Sequence, residues 1–318
     1  MDISKTKLVA IVGPTGVGKS DVAIELATQI GGEVISADSM QVYKGMDIGT
    51  AKVTPDEIGG VPHHLIDIID PAEPFSVAEY QKMARQTIDK ITMRGKIPVL
   101  VGGTGLYIRA TIDKLEFPAG DISSEVRKRL EQRARDEGPA ELYKELVEKD
   151  PAAAGIVHPN NTRRIIRALE VIELTGRPFS DVHRSWKERK SIYNLAMFGL
   201  IMDREKLRKR INQRVDLMIE AGLLDEVKAL VSAGYEGFLT SQQAIGYKEL
   251  IGYLKGEISL EEATDAIKAY TRQYAKRQLT WFRADPRVKW IDVTDKSVDA
   301  VVEEILTELK KTGFIPKG

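Results

Sequence analysis

The sequence LVAIVGPTGVGKS, at residues 8–20, predicts a phosphate-binding loop between a buried strand and a helix. Leu8 to Val12 is a continuous apolar run of strand length, and the residues after it fit G-x-x-x-x-G-K-[ST]. Glycines let the backbone close around phosphate oxygens, and the helix start favours an anion. Lys19 would supply a mobile positive charge, and the Ser20 hydroxyl could ligate a phosphate-bound Mg²⁺. The alternative, a glycine-rich turn with an incidental lysine, fits this context less well.

Short apolar runs alternate with helical segments through the first third of the chain. Apolar residues at helical spacing run through residues 21–30, and further strands are predicted at residues 33–37 and 97–101. Apolar strands separated by helices indicate a parallel sheet that is covered on both faces. The sequence therefore predicts an α/β fold, with a P-loop NTPase-like parallel sheet core flanked by helices.

The middle of the chain differs, because residues 121–189 are helical in pattern and highly charged, with no convincing strand. A strand is predicted again at residues 195–201, and Asp203 is the predicted N-cap of the long amphipathic helix that follows. A last strand is predicted at residues 288–293, before a helix at residues 298–309. We therefore expect a discontinuous core domain, residues 1–118 and 195–318, and a helical insertion domain, residues 119–194.

Composition limits the classes of protein. Lys and Arg number 47 and Asp and Glu also number 47, so no global basicity points to a polyanionic partner, and RNA would require a local patch. Cysteine is absent, which excludes a thiolate metal site and a thiol nucleophile. No apolar run reaches membrane length, so we expect a cytoplasmic protein with no membrane partner, and a monomer by default.

The phosphate loop alone does not identify the phosphate compound. The N-K-x-D motif of GTPases is absent, and the strand at residues 97–101 ends in Gly-Gly instead of the acidic residue usual in motor ATPases. Asp38 follows the strand at residues 33–37, where parallel α/β folds place ligands. It could bind Mg²⁺, accept a proton from a nucleophile or cap a turn, and the pattern leaves these roles open.

Seven motifs occur in order along the chain: GPTGVGKS, DSMQVYKGMDIGTAK, HHLIDIIDP, VGGTGLY, HPNNTRRIIRALEV, QQAIGYKE and KRQLTWFR. Spanning about residues 13–283, they resemble the tRNA dimethylallyltransferases, also called tRNA isopentenyltransferases, in their bacterial form. The resemblance implies transfer of a dimethylallyl group from dimethylallyl diphosphate to the exocyclic amine of the adenosine 3′-adjacent to the anticodon. It also implies Mg²⁺ as cofactor, with tRNA and dimethylallyl diphosphate as partners.

The resemblance also assigns site residues. Asp38 would accept the proton of the adenine amine, Thr104 would contact the reacting nucleotide, and Lys19 would act on the leaving diphosphate. Diphosphate binding falls to Gly13, Pro14, Thr15, Gly16, Val17, Gly18, Lys19 and Ser20, with the metal at Ser20. Contacts to tRNA fall to Asp38, Ser39, Met40, Gln41, Thr104, Arg127, Thr162, Arg163, Arg164, Ile165, Ile166, Gln242, Gln243, Ala244, Ile245, Gly246, Tyr247, Lys248, Lys276, Arg277, Gln278, Trp281 and Arg283.

Basic residues cluster despite the zero net charge. Arg210 and Arg214 lie four apart in one predicted helix, so they share a face and could approach the diphosphate or RNA phosphates. Two further clusters lie at residues 163–167 and 272–283, the second interleaved with aromatic residues that suit base stacking. For any single arginine, a solvated helix face is the better interpretation, so the prediction concerns the clusters jointly.

Three other functions share part of this pattern. A nucleotide-type P-loop kinase would use the phosphate loop and a helical lid, but it gives the QQAIGY and KRQLTW motifs no role. An isopentenyltransferase of free adenine nucleotides would not need the RNA-matching final third of the chain. A nucleotide-gated RNA-binding protein without catalysis would have no need of a proton acceptor at Asp38.

Overall fold

The computed structural model describes residues 5–115, 117, 125–186, 188–235 and 244–316. Its centre is a parallel six-stranded sheet with the strand order β3-β2-β4-β1-β5-β6. The strands are β1 Lys7–Val12, β2 Gly32–Ser36, β3 His63–His64, β4 Ile97–Gly102, β5 Asn194–Ile201 and β6 Lys289–Asp292. The parallel sheet predicted from the apolar runs is confirmed, and the short edge strand β3, only two residues long, was not predicted.

Helices flank this sheet, and the described residues between β4 and β5 also form helices. They are α1 Lys19–Ile30, α2 Pro55–Ile58, α3 Val77–Met93, α4 Gly105–Ile112, α5 Glu125–Asp136, α6 Pro139–Lys149, α7 Thr162–Thr175, α8 Phe179–Ser185, α9 Arg204–Glu220, α10 Leu223–Ser232, α11 Tyr247–Leu254, α12 Leu260–Arg283 and α13 Val298–Lys311. A 3-10 helix spans Pro151–Gly155.

The central strand β1 separates two hydrophobic cores because successive side chains point to opposite faces. Leu8, Ala10 and Val12 pack in the core that α3, α4, α10, α11 and α12 cover. Val9 and Ile11 pack in the other, which α1, α9 and α13 cover. Burial on both faces explains why the strand is apolar without alternation, the signal by which the sequence predicted it.

Local capping explains where the long helices begin. The Asp203 side chain accepts hydrogen bonds from the backbone N–H groups of Glu205 and Lys206, so the predicted N-cap of α9 is confirmed. Ser259 and Glu262 form a capping box at the start of α12, the longest helix among the described residues. These caps place α9 and α12, which contribute to the site described below.

The chain divides into two compact units, residues 1–112 with 191–318, and residues 113–190. The boundaries predicted from the sequence were 118/119 and 194/195. In the second unit, α5, α6 and α7 pack around a separate hydrophobic core. In the first unit, the backbone N–H of Ile192 donates to the carbonyl of Ile112 at 2.9 Å, which joins the two points where the chain leaves and re-enters it.

Among the described residues, none of the helices combines the length and the apolar character needed to cross a membrane.

Candidate active site

The phosphate loop joins β1 to α1 and ends at Gly18, the residue before the helix. Gly18 has a φ of 93°, in the left-handed region that other residues rarely adopt, which accounts for glycine here. Lys19 begins α1, and its Nζ donates to the carbonyl oxygen of Pro14 at 2.8 Å. The ammonium is therefore held across the loop, close to where the backbone can bind a phosphate group.

A cavity of about 350 Å³ opens beside this loop and collects charged side chains. Lys19, Arg210 and Arg214 bring three positive charges to its lining, and Asp21 and Asp38 bring two carboxylates. The Ser20 residue lines the same cavity. Three cations around one hollow suit an anion with several charges, such as a diphosphate.

Asp38 follows β2 and is perturbed by its surroundings. Burial raises the pKa of Asp38 above its ordinary value, and this effect exceeds those of the Met40 backbone N–H and the Lys19 ammonium. The Met40 N–H donates to Asp38 Oδ1 at 2.9 Å. Burial also lowers the pKa of Lys19 to about 8, although the neighbouring Asp38 opposes that shift. A carboxylate with an increased proton affinity is a more effective general base.

A second cavity, of about 250 Å³, meets the first at Asp38. Its lining is more apolar and includes Ile211, Val215, Met218 and Ile267. Six residues line both cavities: Thr15, Gly16, Asp38, Thr50, Ala51 and Arg214. Groups that enter from the two cavities would therefore meet beside the Asp38 carboxylate, which is the arrangement required by a transfer between two substrates.

Thr104 connects Asp38 to the neighbouring strand. The Thr104 Oγ1 accepts a hydrogen bond from the Ser39 backbone N–H at 3.1 Å, and the Thr104 N–H donates to the Ala37 carbonyl at 3.2 Å. β4 ends next to β2, so these bonds hold the residues on either side of Asp38 against the end of β4. Of the three residues predicted to be catalytic, Lys19 and Asp38 line one cavity, and Thr104 is bonded to the residue after Asp38.

Two glutamines predicted to contact RNA have their side chains directed into the protein. Gln278, on α12, is 4% exposed, and its Oε1 accepts from the Thr15 backbone N–H at 2.8 Å. Its Nε2 donates to the Gly103 carbonyl at 3.1 Å. Gln41 Nε2 donates to the carbonyls of Thr50 and Ala51 at 3.2 and 3.3 Å. Both amides therefore position loops of the site instead of facing solvent.

The remaining predicted RNA-contact residues of the first unit differ in exposure. Lys248, Lys276, Arg277, Trp281 and Arg283 are exposed. Ala244, Gly246 and Tyr247 are buried, whereas Ser39, Met40 and Ile245 are half-buried and line the second cavity. Gln242 and Gln243 lie outside the described residues.

The second unit contains the other predicted RNA-contact residues. Ile165 and Ile166 are 0% and 6% exposed and belong to the core of that unit, so an RNA contact there would involve the backbone. Arg163 is exposed, and Thr162 and Arg164 are half-buried at the start of α7. The Arg127 guanidinium donates twice to the buried Glu170 carboxylate, at 3.2 and 2.7 Å.

Thr50 and Ala51 were not predicted as site residues, although they line both cavities. The only signal in the sequence was the DIGTAK motif, which indicated a loop with a basic end. Within the ranges that the structure describes, no three acidic or histidine side chains converge on a possible metal site. Ser20, predicted to hold the metal ion, lines the first cavity together with the carboxylates of Asp21 and Asp38.

A glycine-rich loop between a parallel strand and a helix, with a lysine and two arginines around one cavity, defines a P-loop protein of the phosphate-transfer or diphosphate-release type. The family can be stated more narrowly. The family model described as IPP transferase matches residues 41–285, and that described as isopentenyl transferase matches residues 6–70. The chain belongs to the tRNA dimethylallyltransferase family.

Individual relatives agree with this assignment. A tRNA dimethylallyltransferase of Carboxydothermus hydrogenoformans is 53% identical over 309 residues, which cover 97% of this chain and 99% of the relative. The crystal structure of full-length tRNA isopentenylpyrophosphate transferase from Bacillus halodurans is 51% identical, with a TM-score of 0.72 and 96% of each chain covered. A eukaryotic dimethylallyltransferase acting on tRNA has a TM-score of 0.83 and 32% identity, covering 98% of this chain and 80% of that one.

Proposed function

We propose that the protein transfers a dimethylallyl group from dimethylallyl diphosphate to the exocyclic amine of the adenosine 3′-adjacent to the anticodon in tRNA. The C–O bond between the allylic carbon and the diphosphate breaks, and its electron pair leaves with the diphosphate. The adenine nitrogen forms the new C–N bond, and its proton passes to a base. The observation that carries the proposal is the position of Asp38 at the junction of a cationic cavity and a more apolar one.

The cationic cavity accounts for the leaving group. Charge develops on the diphosphate as the allylic C–O bond breaks, and preorganised cations stabilise that charge without reorganising. Lys19, Arg210 and Arg214 are the side chains that we assign to this task. A Mg²⁺ ion bound to Ser20 and to phosphate oxygens would add to the stabilisation of the leaving charge, and Mg²⁺ commonly takes few protein ligands beside phosphate and water.

Asp38 and Thr104 account for the acceptor. The lone pair of an adenine amine is delocalised into the ring, so a carboxylate that removes the proton as the bond forms lowers the barrier. Asp38 is the carboxylate that lines both cavities, and Thr104 is bonded to the residues beside it. An adenosine in an anticodon loop is easier to extrude than one in a duplex, where unstacking costs a few kcal/mol.

The test combines the protein, Mg²⁺, dimethylallyl diphosphate and an unmodified anticodon stem-loop, and weighs the RNA by mass spectrometry. We expect a gain of one five-carbon unit at the adenosine beside the anticodon. The gain should be absent when inosine, which lacks the exocyclic amine, replaces that adenosine. It should fall at least about a hundredfold in rate in Asp38→Asn and Lys19→Met proteins, the usual scale for loss of a general base or a charge-stabilising group.

Lys209→Met is the matched control for Lys19→Met, because Lys209 is an exposed lysine on α9. Its rate should equal that of the wild type. Removal of divalent ions with a chelator should abolish transfer, and added Mg²⁺ should restore it. No gain in RNA mass, together with phosphate transfer from ATP to a nucleotide, would refute the proposal in favour of a kinase. The cytoplasmic location and monomeric state expected from the sequence stay predictions.

A further inference from the structure

The Glu226 carboxylate, on α10, accepts hydrogen bonds from three successive backbone N–H groups of one loop. The N–H groups of Asp47 and Ile48 both donate to Oε2 at 2.8 Å, and that of Gly49 donates to Oε1 at 3.1 Å. The two partners are 177–179 residues apart in the chain. Three backbone N–H groups bonded to one carboxylate restrict the conformation of the loop more than a single hydrogen bond would, because each bond fixes a different peptide group.

Tyr247, the first residue of α11, completes this contact. Its hydroxyl donates to Glu226 Oε1 at 2.5 Å, so the carboxylate receives a fourth donor. Its ring packs so closely on Gly49 that a Cβ there would lie 2.5 Å from a ring carbon. Gly49 is therefore required by close approach, and the loop is seated against the start of α11.

The loop held in this way continues directly into the wall shared by the two cavities. Thr50 and Ala51 follow Gly49 and line both. Ala51 has a φ of 52°, a left-handed conformation that costs a non-glycine residue about 1 kcal/mol or more and that the surroundings must maintain. From the sheet side, Gln41 donates to both carbonyls of this pair and accepts from the Ser36 hydroxyl at 2.8 Å.

We propose that Glu226 is a positioning residue for the transfer reaction, which it serves through the backbone of Asp47, Ile48 and Gly49. Gln41 holds the shared wall from the side of the sheet, and Glu226 holds it from the side of α10 and α11. Together they keep Thr50 and Ala51 where the donor and the acceptor meet beside Asp38. The inference rests on the proposed function, since it assigns the loop a part in that reaction.

The chemistry of the contact predicts which substitution is informative. All four partners of the carboxylate are donors, so an amide in its place would direct an NH₂ group at one or more of them. Glu226→Gln keeps the shape of the side chain but replaces one acceptor oxygen with an NH₂ group, which cannot accept these hydrogen bonds. Tyr247→Phe removes one donor and leaves the ring against Gly49. Asp225→Asn is the matched control, because Asp225 is the adjacent carboxylate on α10 and is exposed.

The experiment measures two quantities in each full-length protein. The first is hydrogen exchange of the amides of residues 47–49, which does not depend on activity. The second is kcat and KM for the stem-loop, with kcat referred to the concentration of sites that bind inorganic diphosphate. We expect Glu226→Gln to accelerate exchange about tenfold or more and to lower kcat about tenfold, with KM changed less than about threefold. Tyr247→Phe should show smaller changes in the same direction, and Asp225→Asn none.

A purely structural role for Glu226 would lower the concentration of binding sites and leave kcat per site unchanged, which would overturn the proposal. Unchanged exchange at residues 47–49 in Glu226→Gln would overturn it as well. Should Glu226→Gln not fold, wild-type exchange and kcat in Tyr247→Phe would count against it. Absence of transfer by the wild type is a different failure, that of the proposed function, and the exchange measurement would still report whether Glu226 anchors the loop.

Discussion

Lys19 and Asp38 illustrate how one cavity shifts two titratable groups in opposite directions. Burial favours the neutral form of each group, so it lowers the pKa of the lysine to about 8 and raises the pKa of the aspartate. Their mutual attraction works against both shifts and only partly cancels them. A lysine that is costly to charge gains most from an incoming anion, which suits the diphosphate site that we propose.

The free-energy cost of charging Lys19 in the folded protein can be measured as a change in the stability of the protein. The pKa of Lys19 in the folded protein, about 8, lies below its ordinary value of 10.5, so between these pH values the unfolded chain binds more protons. The free energy of unfolding therefore rises with pH across that window, and at pH 7 the full penalty is present. Lys19→Met should be more stable than the wild type at pH 7 by about 1–3 kcal/mol.

The difference should shrink as the pH rises from about 8 to about 10.5, because over that range the lysine of the unfolded chain also loses its proton. Urea denaturation at pH 7 and at pH 10 measures it. Lys209→Met, at an exposed position, should leave the stability unchanged at both pH values. A Lys19→Met protein less stable than the wild type at pH 7 would show that the charge of Lys19 stabilises the empty site.

Site residues that lie within one sequence motif could be predicted from the sequence, whereas residues that reach the site from distant parts of the chain could not. The phosphate loop is one continuous segment, so its glycines, lysine and serine are close together in the sequence as well as in the fold. Gln278 and Glu226 act on residues 263 and 177 positions away, at Thr15 and Gly49. Nothing in a helical glutamine or glutamate reveals such a partner, because only the assembled sheet brings the segments together.

At the scale of secondary-structure elements, the buried side-chain amide of Gln278 connects α12 to the phosphate loop. Gln278 joins the Thr15 N–H to the Gly103 carbonyl, at the ends of β1 and β4. Gln278→Leu would leave the buried Gly103 carbonyl without this partner, at a cost of about 1–3 kcal/mol, and would also free the part-buried Thr15 N–H. We expect a less stable protein, with a lower affinity for inorganic diphosphate.

Calorimetric titration with diphosphate and urea denaturation test this expectation together. Gln273→Leu is the control, since Gln273 is exposed on the same helix. Full diphosphate affinity in Gln278→Leu would show that the Thr15 amide needs no support from α12.

Elements with a strong pattern were predicted close to their observed bounds. The strand predicted at residues 195–201 is β5, Asn194–Ile201, and the helix predicted at residues 298–309 is α13, Val298–Lys311. Both have apolar patterns set by burial. The segment between residues 39 and 69, mostly turns, was not predicted in detail, because its conformation depends on side chains such as Gln41 and Glu226 that bond to its backbone.

At the scale of the whole molecule, a zero net charge coexists with an RNA substrate only if the charge is unevenly distributed. Lys276 and Arg277 are exposed on α12, and Arg277 lines the second cavity. Binding of the stem-loop should therefore weaken steeply with salt, and each phosphate contact should contribute about 0.7 to the slope of log K against log salt. Lys276→Ala and Arg277→Ala should each reduce the slope by about that amount.

Fluorescence titrations of a labelled stem-loop between low and physiological salt measure these slopes. Lys310→Ala, an exposed charge on α13, should leave the slope at its wild-type value. Equal slopes for all the proteins would place the RNA phosphates away from α12.

The hydrogen bond between Ile192 and Ile112 gives the central segment, residues 113–190, two ends that start from one point of the core. A segment attached in this way behaves as a cassette: a homologous one can be grafted at a single junction without cutting any strand of the sheet. The two parts of the enzyme can therefore diverge at different rates, because replacing one leaves the sheet of the other intact.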